Sequence, residues 1–128
     1  MKVKCTSLFI VSDQNRNEPY QQLLQLNKEI LVYGIFVRNG VVNYLTMDKY
    51  NERPYWNPAE LFEVVDNKLS CNWLYKFYGY EVDGYINAVF GYPELLDKKH
   101  YIGLLEREEE DMKIFNFRKK EIDNEFLI

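Results

Sequence analysis

The chain has 128 residues, which is close to the commonest size of a single domain. Its 47% of hydrophobic and 28% of charged residues are typical of globular proteins and exclude a disordered chain. The 16 basic and 20 acidic residues leave a net charge of −4, which disfavours binding to duplex nucleic acid, because that affinity comes mainly from cations that neutralise phosphates. We therefore expect one acidic, tyrosine-rich domain over residues 1–128.

The N-terminus and the apolar runs show no pattern for export or membrane insertion. Residues 1–7 carry two lysines but lack the apolar region and cleavage site of a signal peptide. The longest apolar runs fall far short of the roughly 20 residues that cross a bilayer. Cys5 and Cys71 can form at most one disulfide, and they cannot supply the four ligands of a structural zinc site. We expect a cytoplasmic protein with free thiols, no metal, no cofactor and no membrane contact.

The first part of the chain has the alternation and turn residues of β-structure. Residues 3–11 alternate as a strand does, and the polar residues 13–19 form a predicted surface loop. Two β-branched and aromatic runs over residues 30–46 flank Asn39-Gly40. Because this dipeptide tolerates positive φ at both turn positions, it predicts a β-hairpin with a type I′ turn.

The pattern of the central segment predicts a loop followed by short helical and strand elements. Residues 48–56 have no periodicity, and Asn57-Pro58-Ala59-Glu60 has the cap and proline of a helix start with room for one turn. Residues 61–65 are strand-like, residues 71–82 form an aromatic strand interrupted by Gly79, and Asp83-Gly84 predicts a turn into a last strand. The strand-rich first two thirds therefore predict a bent antiparallel sheet or a small SH3-like barrel.

From Pro93 onward the period changes to that of helices, so the fold class is predicted to be α+β. Apolar and long side chains recur at three- and four-residue steps, and Gly103 predicts a break between a short and a longer helix. Glu109 with Lys113 and Arg107 with Asp111 are spaced as i,i+4 ion pairs. Residues 112–117 also fit a strand, and the sequence leaves both alternatives open.

A catalytic interpretation would combine Cys71 as nucleophile, His100 as base and Asp97 or Asp83 as the orienting carboxylate. These residues lie in different predicted elements, and neither cysteine stands in a known nucleophile motif. The sequence also lacks the common phosphate-binding, hydrolase and metalloprotease motifs. An inert thiol and a solvent-exposed histidine are the favoured interpretation, so no catalytic residue is assigned.

Two sets of residues are candidates for binding another macromolecule. Tyr55 and Trp56 stand in the predicted central loop, where large rings are either displayed to a partner or packed over the core edge. Glu108, Glu109 and Asp111 belong to an acidic run that precedes the basic residues 118–120. This order complements a helix dipole, so a solvated helix face explains much of it without a partner. The other interpretation is a docking surface that steers a basic partner.

These observations predict a non-enzymatic cytoplasmic interaction module whose partner is a protein. The sequence broadly resembles small bacterial accessory proteins, including immunity proteins that neutralise toxins, and an immunity- or inhibitor-type protein acting on a basic partner fits it. One alternative is a small hydrolase or thiol-dependent enzyme that uses Cys71 and His100. The other is a single-stranded nucleic-acid binder in which Tyr and Trp rings stack on bases beside Lys76 and Arg53.

Overall fold

The computed structural model describes residues 1–9, 23–79 and 86–127. These ranges hold eight strands, two short 3₁₀ helices and two α-helices, so the predicted α+β class is confirmed. The strands are β1 (Lys2–Cys5), β2 (Glu29–Leu31), β3 (Gly34–Arg38), β4 (Val41–Met47), β5 (Pro54–Pro58), β6 (Phe62–Asp66), β7 (Leu74–Phe77) and β8 (Ile86–Gly91). The 3₁₀ helices are Ala59–Leu61 and Pro93–Leu96, and the α-helices are α1 (Lys98–Glu106) and α2 (Glu109–Glu125).

The strands form two open antiparallel sheets. One sheet has the order β2-β1-β6, and the other has the order β5-β4-β3-β8-β7. Neither sheet closes on itself in the described ranges, so of the two predicted forms the antiparallel sheet is present and the barrel is not. The predicted loop 13–19 and the Asp83-Gly84 turn lie outside the described residues, and the predicted strand over 3–11 ends at Cys5.

The hairpin at Asn39-Gly40 is confirmed. Arg38 pairs with Val41, so the loop has two residues, and φ is +51° at Asn39 and +77° at Gly40. Positive φ at both positions is the type I′ geometry, whose twist matches that of the flanking strands.

The expected single run from residue 30 into this hairpin is wrong. The Val32 amide donates to the Met1 carbonyl at 3.0 Å, whereas the Tyr33 amide donates to the Leu45 carbonyl at 2.8 Å. The chain therefore leaves the small sheet and enters the large one between these two residues. A continuous apolar run conceals this change, because residues buried between two sheets are apolar on both faces.

The central loop prediction is also wrong at its end, because residues 54–58 form β5 at one edge of the large sheet. A proline at each end is tolerated there, since an edge strand needs only one of its two rows of hydrogen bonds. The predicted helical turn is present as the 3₁₀ helix Ala59–Leu61. Asn57 does not cap it; its side-chain amide donates to Thr46 Oγ1 at 3.1 Å.

The C-terminal region is helical throughout 109–125, so the strand alternative for residues 112–117 is wrong. The break between the helices lies at Arg107, which has φ of +58°, and not at Gly103. The pair of Glu109 with Lys113 is confirmed at 3.5 Å on the exposed face. Arg107 and Asp111 bind other partners, because Arg107 lies at the turn after α1 and Asp111 lies in α2, so the helical spacing between them is lost.

The main core lies between the large sheet and the two helices. It is built from Tyr33, Phe36, Leu45, Val89 and Tyr92 of the sheet side and from Leu95, Leu104, Phe115 and Ile122 of the helical side. A second apolar cluster around Val3 and Val32 joins the small sheet to the opposite face of the large one.

Two buried polar residues and one partly exposed carboxylate connect the sheet to both helices. Tyr92 is 1% and His100 is 4% exposed, and their Oη and Nε2 atoms are 2.8 Å apart. His100 Nδ1 lies 2.8 Å from Asp111 Oδ1. Because a carboxylate only accepts, Nδ1 donates to Asp111, and in a neutral imidazole Nε2 then accepts from the Tyr92 hydroxyl. Burial raises the pKa of Tyr92 above its usual range, so the hydroxyl remains a donor. We call these three residues the polar network.

Gly103 makes room for the polar network. A Cβ atom at this position would overlap the Asp111 carboxylate. The glycine is therefore required by the close approach of α2 to α1, and it lies inside α1 although it disfavours helix by about 1 kcal/mol. The prediction of a break at Gly103 is wrong. Glycine is needed at this position so that α2 can pack closely against α1, and not for a turn of the chain.

The hairpin predicts the effect of Gly40→Val. A β-branched residue at φ of +77° is strained, so we expect unfolding free energy to fall by about 1 to 2 kcal/mol. Apart from its chain neighbours, no described residue has an atom within 4 Å of a Cβ built at Gly40, so the loss would report backbone strain. Asn39→Gly is the matched control and should change stability by only a few tenths of a kcal/mol in urea melts. Equal midpoints for Gly40→Val and wild type would contradict the turn.

The polar network predicts that Gly103→Ala destabilises the protein, which is the opposite of its usual effect in a helix. At an exposed helix position this change stabilises by about 1 kcal/mol, but here we expect a loss of about 2 kcal/mol from overpacking and a broken buried hydrogen bond. In an Asp111→Ala background the same change should become neutral or stabilising, because the overlapping carboxylate is gone. A double-mutant cycle in urea measures this coupling, and additive effects would contradict the close approach.

Candidate functional site

A groove of about 300 Å³ runs between the edge strand β5 and the C-terminal end of α1. We call it the β5–α1 groove. Its lining is mostly apolar and consists of Leu45, Pro54, Tyr55, Trp56, Leu104, Leu105 and Arg107. Leu45 is buried beneath the surface, whereas the Leu105 side chain is 56% exposed. The groove therefore has a buried apolar floor, and the exposed surface of Leu105 can still be buried by a partner.

Trp56 forms one wall of the groove and is not displayed from a loop. Its ring packs edge-on against Phe36, with centroids 4.3 Å apart, and lies 5.6 Å from the Tyr101 ring. The indole nitrogen is buried and has no hydrogen-bond partner among the described residues. The ring therefore packs over the edge of the core, and binding of a partner by Trp56 stays a prediction. The ring is half-buried, so it shapes the groove while it stabilises the core.

Tyr55 is held by a cation across the groove. Arg107 Nη2 donates to the Tyr55 hydroxyl at 2.9 Å, and the guanidinium carbon is 5.1 Å from the ring centroid. Arg107 occupies the left-handed position at the end of α1, where its amide donates to the Gly103 and Leu104 carbonyls. This position usually holds glycine, and another residue there costs about 1 kcal/mol or more. The polar network fixes this junction and so fixes Arg107 above Tyr55.

The three acidic candidates divide into two kinds. Glu108 and Glu109 are exposed and directly follow Arg107, so they carry negative charge next to the groove. Both lie where α2 begins, and they complement its positive N-terminal dipole. Asp111 does not belong to this exposed set, because its carboxylate binds the buried His100. Residues 118–120 do not complete the dipole pattern, since the last turn of α2 carries no basic residue.

The fold thus places Tyr55 and Trp56 near Arg107 and the two acids that follow it, Glu108 and Glu109, whereas Asp111 belongs to the polar network. Tyr55 and Trp56 form one side of the groove, and the start of the acidic run forms the adjoining surface. Leu104, Leu105 and Arg107 complete the site and were not predicted. Their contribution depends on where α1 ends, and nothing in the sequence marks Arg107 as the residue with positive φ.

The structure does not assemble a thiol active site from Cys71 and His100. Both ring nitrogens of His100 already bind Tyr92 and Asp111, so neither is available to a thiol. The Glu125 carboxylate, which accepts a hydrogen bond from the Cys71 amide at 2.7 Å, raises the pKa of the Cys71 thiol. A raised pKa disfavours the thiolate that such a mechanism needs. The expectation of a solvent-exposed histidine is wrong, because His100 is buried, whereas Cys71 is exposed.

Among the described residues, no three His, Cys, Asp or Glu side chains are grouped so that they could hold a metal ion. No helix within the described ranges is long and apolar enough to cross a membrane.

Comparison with protein-family models, with curated proteins and with solved structures gave no match to this chain.

Proposed function

We propose that this chain is a non-enzymatic cytoplasmic interaction module that binds a protein partner through the β5–α1 groove. The observation that carries the proposal is the exposed Leu105 beside a preformed aromatic wall, with Arg107 held over Tyr55. Protein interfaces combine an apolar centre with a polar and charged rim, and Tyr, Trp and Arg are enriched among their energetic anchors.

The charges next to the groove favour a basic partner. Glu106, Glu108, Glu109 and Glu110 are all exposed around the helix junction, and the net charge of the chain is −4. Exposed charges add little static energy, but they attract an oppositely charged protein over about 10 Å at ordinary salt. An inhibitor or immunity-type protein that covers a basic surface of its target fits this arrangement.

The aromatic wall of the groove is packed against the core, which favours tight docking. The Trp56 ring is packed on Phe36 and Tyr101, and Arg107 is fixed by the helix junction and by Tyr55. Side chains that are already ordered lose little conformational entropy on binding. A partner side chain that enters the groove therefore gains contact area without first having to order its walls.

Leu105→Ala tests the apolar centre. Full burial of a leucine side chain contributes about 1.5 to 3 kcal/mol, so burial of its exposed half should contribute about 1 kcal/mol, or roughly fivefold in affinity. The tagged full chain is first used to capture its partner from the native cell, and the purified pair is then measured by surface plasmon resonance. Phe117→Ala is the matched control, because Phe117 is 62% exposed on α2 and does not line the groove. Equal affinities for the two variants, or the absence of a stoichiometric protein partner, would overturn the proposal.

Charge reversal tests the role of the acidic rim. Glu108→Lys with Glu109→Lys should slow association at low salt and leave dissociation nearly unchanged, because exposed charges act mainly on the encounter. Added salt should slow the wild-type association in the same way and abolish the difference between the proteins. Asp111 is left intact because its change would break the polar network. A mutant that associates as fast as wild type at low salt would contradict a basic partner.

A further inference from the structure

Arg107 brings a positive charge to the lining of the β5–α1 groove, and a ring holds it there instead of an acid. Its guanidinium carbon lies 5.1 Å from the centroid of the Tyr55 ring, and Nη2 donates to the Tyr55 hydroxyl at 2.9 Å. Within the described ranges, no carboxylate forms a salt bridge with Arg107, although Glu106 and Glu108 are its neighbours in the chain. The groove therefore contains a cation whose charge no described acid neutralises at contact distance.

The acids near this arginine differ in whether a cation pairs with them. The Lys113 ammonium lies 3.5 Å from the carboxylates of both Glu109 and Glu110. Glu106 and Glu108 are exposed, and neither of them has a cation partner in the described part of the chain. They directly precede and follow the arginine. These two carboxylates are therefore available to the cations of a partner that docks at the groove.

The two kinds of charge decide which side chain fits the groove. A lysine or arginine side chain would bring a second cation next to Arg107, and a carboxylate would be placed near Glu106 and Glu108. A neutral side chain avoids both repulsions. The volume of the groove, about 300 Å³, lies at the lower end of the range for ligand sites, so it suits one large side chain.

The lining of the groove favours an aromatic side chain over an aliphatic one. Tyr55 and Trp56 contribute two rings, and a pair of packed rings gains energy beyond the area that it buries. Among the described residues, only Tyr55 forms a hydrogen bond or ring contact with the Arg107 guanidinium, and Arg107 is exposed. Because a guanidinium is planar, its second face can stack on another ring. An aromatic side chain in the groove therefore has partners on two sides.

We propose that the groove binds a segment of another protein in which a single aromatic side chain is flanked by lysine or arginine residues. The ring fills the space beside Trp56 and Leu105 and stacks on the outer face of the Arg107 guanidinium. The flanking cations face Glu106 and Glu108. This inference rests on the proposed function of the groove, and it adds the chemistry of the segment that the groove accepts.

The same charges disfavour the other occupants. A single-stranded nucleic acid offers rings for stacking, but its phosphates would be repelled by the acids beside the groove. A second copy of this chain would bring its own net charge of −4. A segment that is both basic and aromatic meets neither repulsion.

The probe is a phage-displayed library of random decapeptides, selected at low salt on the immobilised full chain. We expect the selected peptides to share one aromatic residue with Lys or Arg on both sides of it. In a synthetic copy of the leading peptide, replacement of the aromatic residue by leucine should weaken binding about fivefold, because the ring contacts are lost. Selected peptides without an aromatic residue, or with acidic flanks, would overturn the proposal.

Protein variants assign the contacts of the leading peptide. Leu105→Ala should weaken its binding about fivefold, whereas the control Phe117→Ala should bind it as wild type does. Arg107→Lys keeps the charge but has no planar group on which a ring can stack. In this variant the preference for the aromatic peptide over the leucine peptide should fall at least about twofold. An unchanged preference would show that the ring does not stack on Arg107 and would refute the proposal.

Neutralisation of the acids tests the flanking charges. Glu106→Gln with Glu108→Gln should weaken binding of the peptide about fivefold at low salt, because two carboxylates that face its cations are removed. Glu109→Gln with Glu110→Gln is the matched control and should have a smaller effect, since Lys113 already pairs with both acids. Equal losses in the two double variants would contradict the proposal.

The outcomes also separate this inference from the proposed function. Weaker binding of both the captured native partner and the peptide by Leu105→Ala supports both proposals. If Leu105→Ala weakens binding of the native partner but not of the peptide, the groove still binds a protein and the segment proposed here is wrong. If it weakens neither, both proposals fail. Displacement of the peptide by a ten-residue single-stranded oligothymidylate, or a wild-type dimer that Leu105→Ala dissociates, would overturn the inference in favour of nucleic acid or of a second copy.

Discussion

The contact between Asp111 and His100 determines how the C-terminal half of this protein is arranged. The carboxylate reaches the buried imidazole only because Gly103 has no side chain, and the other ring nitrogen is hydrogen-bonded to the Tyr92 hydroxyl at the end of the large sheet. One chain of hydrogen bonds thus connects the sheet, α1 and α2. Each of these groups would cost about 1 to 3 kcal/mol if left buried without its partner. The cost of breaking any link favours a single arrangement of the two helices.

That arrangement explains why a residue in a strained conformation lies beside the groove. The chain must turn between α1 and α2 at Arg107, and the left-handed backbone there is stabilised by hydrogen bonds to the last turn of α1. The guanidinium is directed at Tyr55, so the turn that connects the helices also connects them to β5. Glycine would be less strained at this turn, but it would remove that contact. The strained backbone is retained at a position whose side chain also contacts β5, and backbone strain of this kind is common at binding sites.

The large sheet has two unlike edges. At β5 the strand begins and ends with a proline, and Trp56 packs against Phe36, so mainly side chains face the groove beside it. The proposed recognition at this edge therefore depends on side chains and not on added backbone hydrogen bonds. At the other edge, all four residues of β7 are exposed, and β8 is the only described strand that pairs with it.

The sequence by itself determined the α+β class, the hairpin at Asn39-Gly40 and the presence of a C-terminal helical region, because turn chemistry and periodicity act over a few residues. It also singled out Tyr55, Trp56 and the acidic run, although it assigned the two rings to a loop. Only the tertiary structure decided that these rings lie on a strand, that Asp111 binds a buried histidine, and that the chain turns at Arg107 and not at Gly103. Each of these outcomes depends on contacts between residues distant in the chain, and the local pattern around Arg107 or Gly103 contains no record of the partner that approaches it.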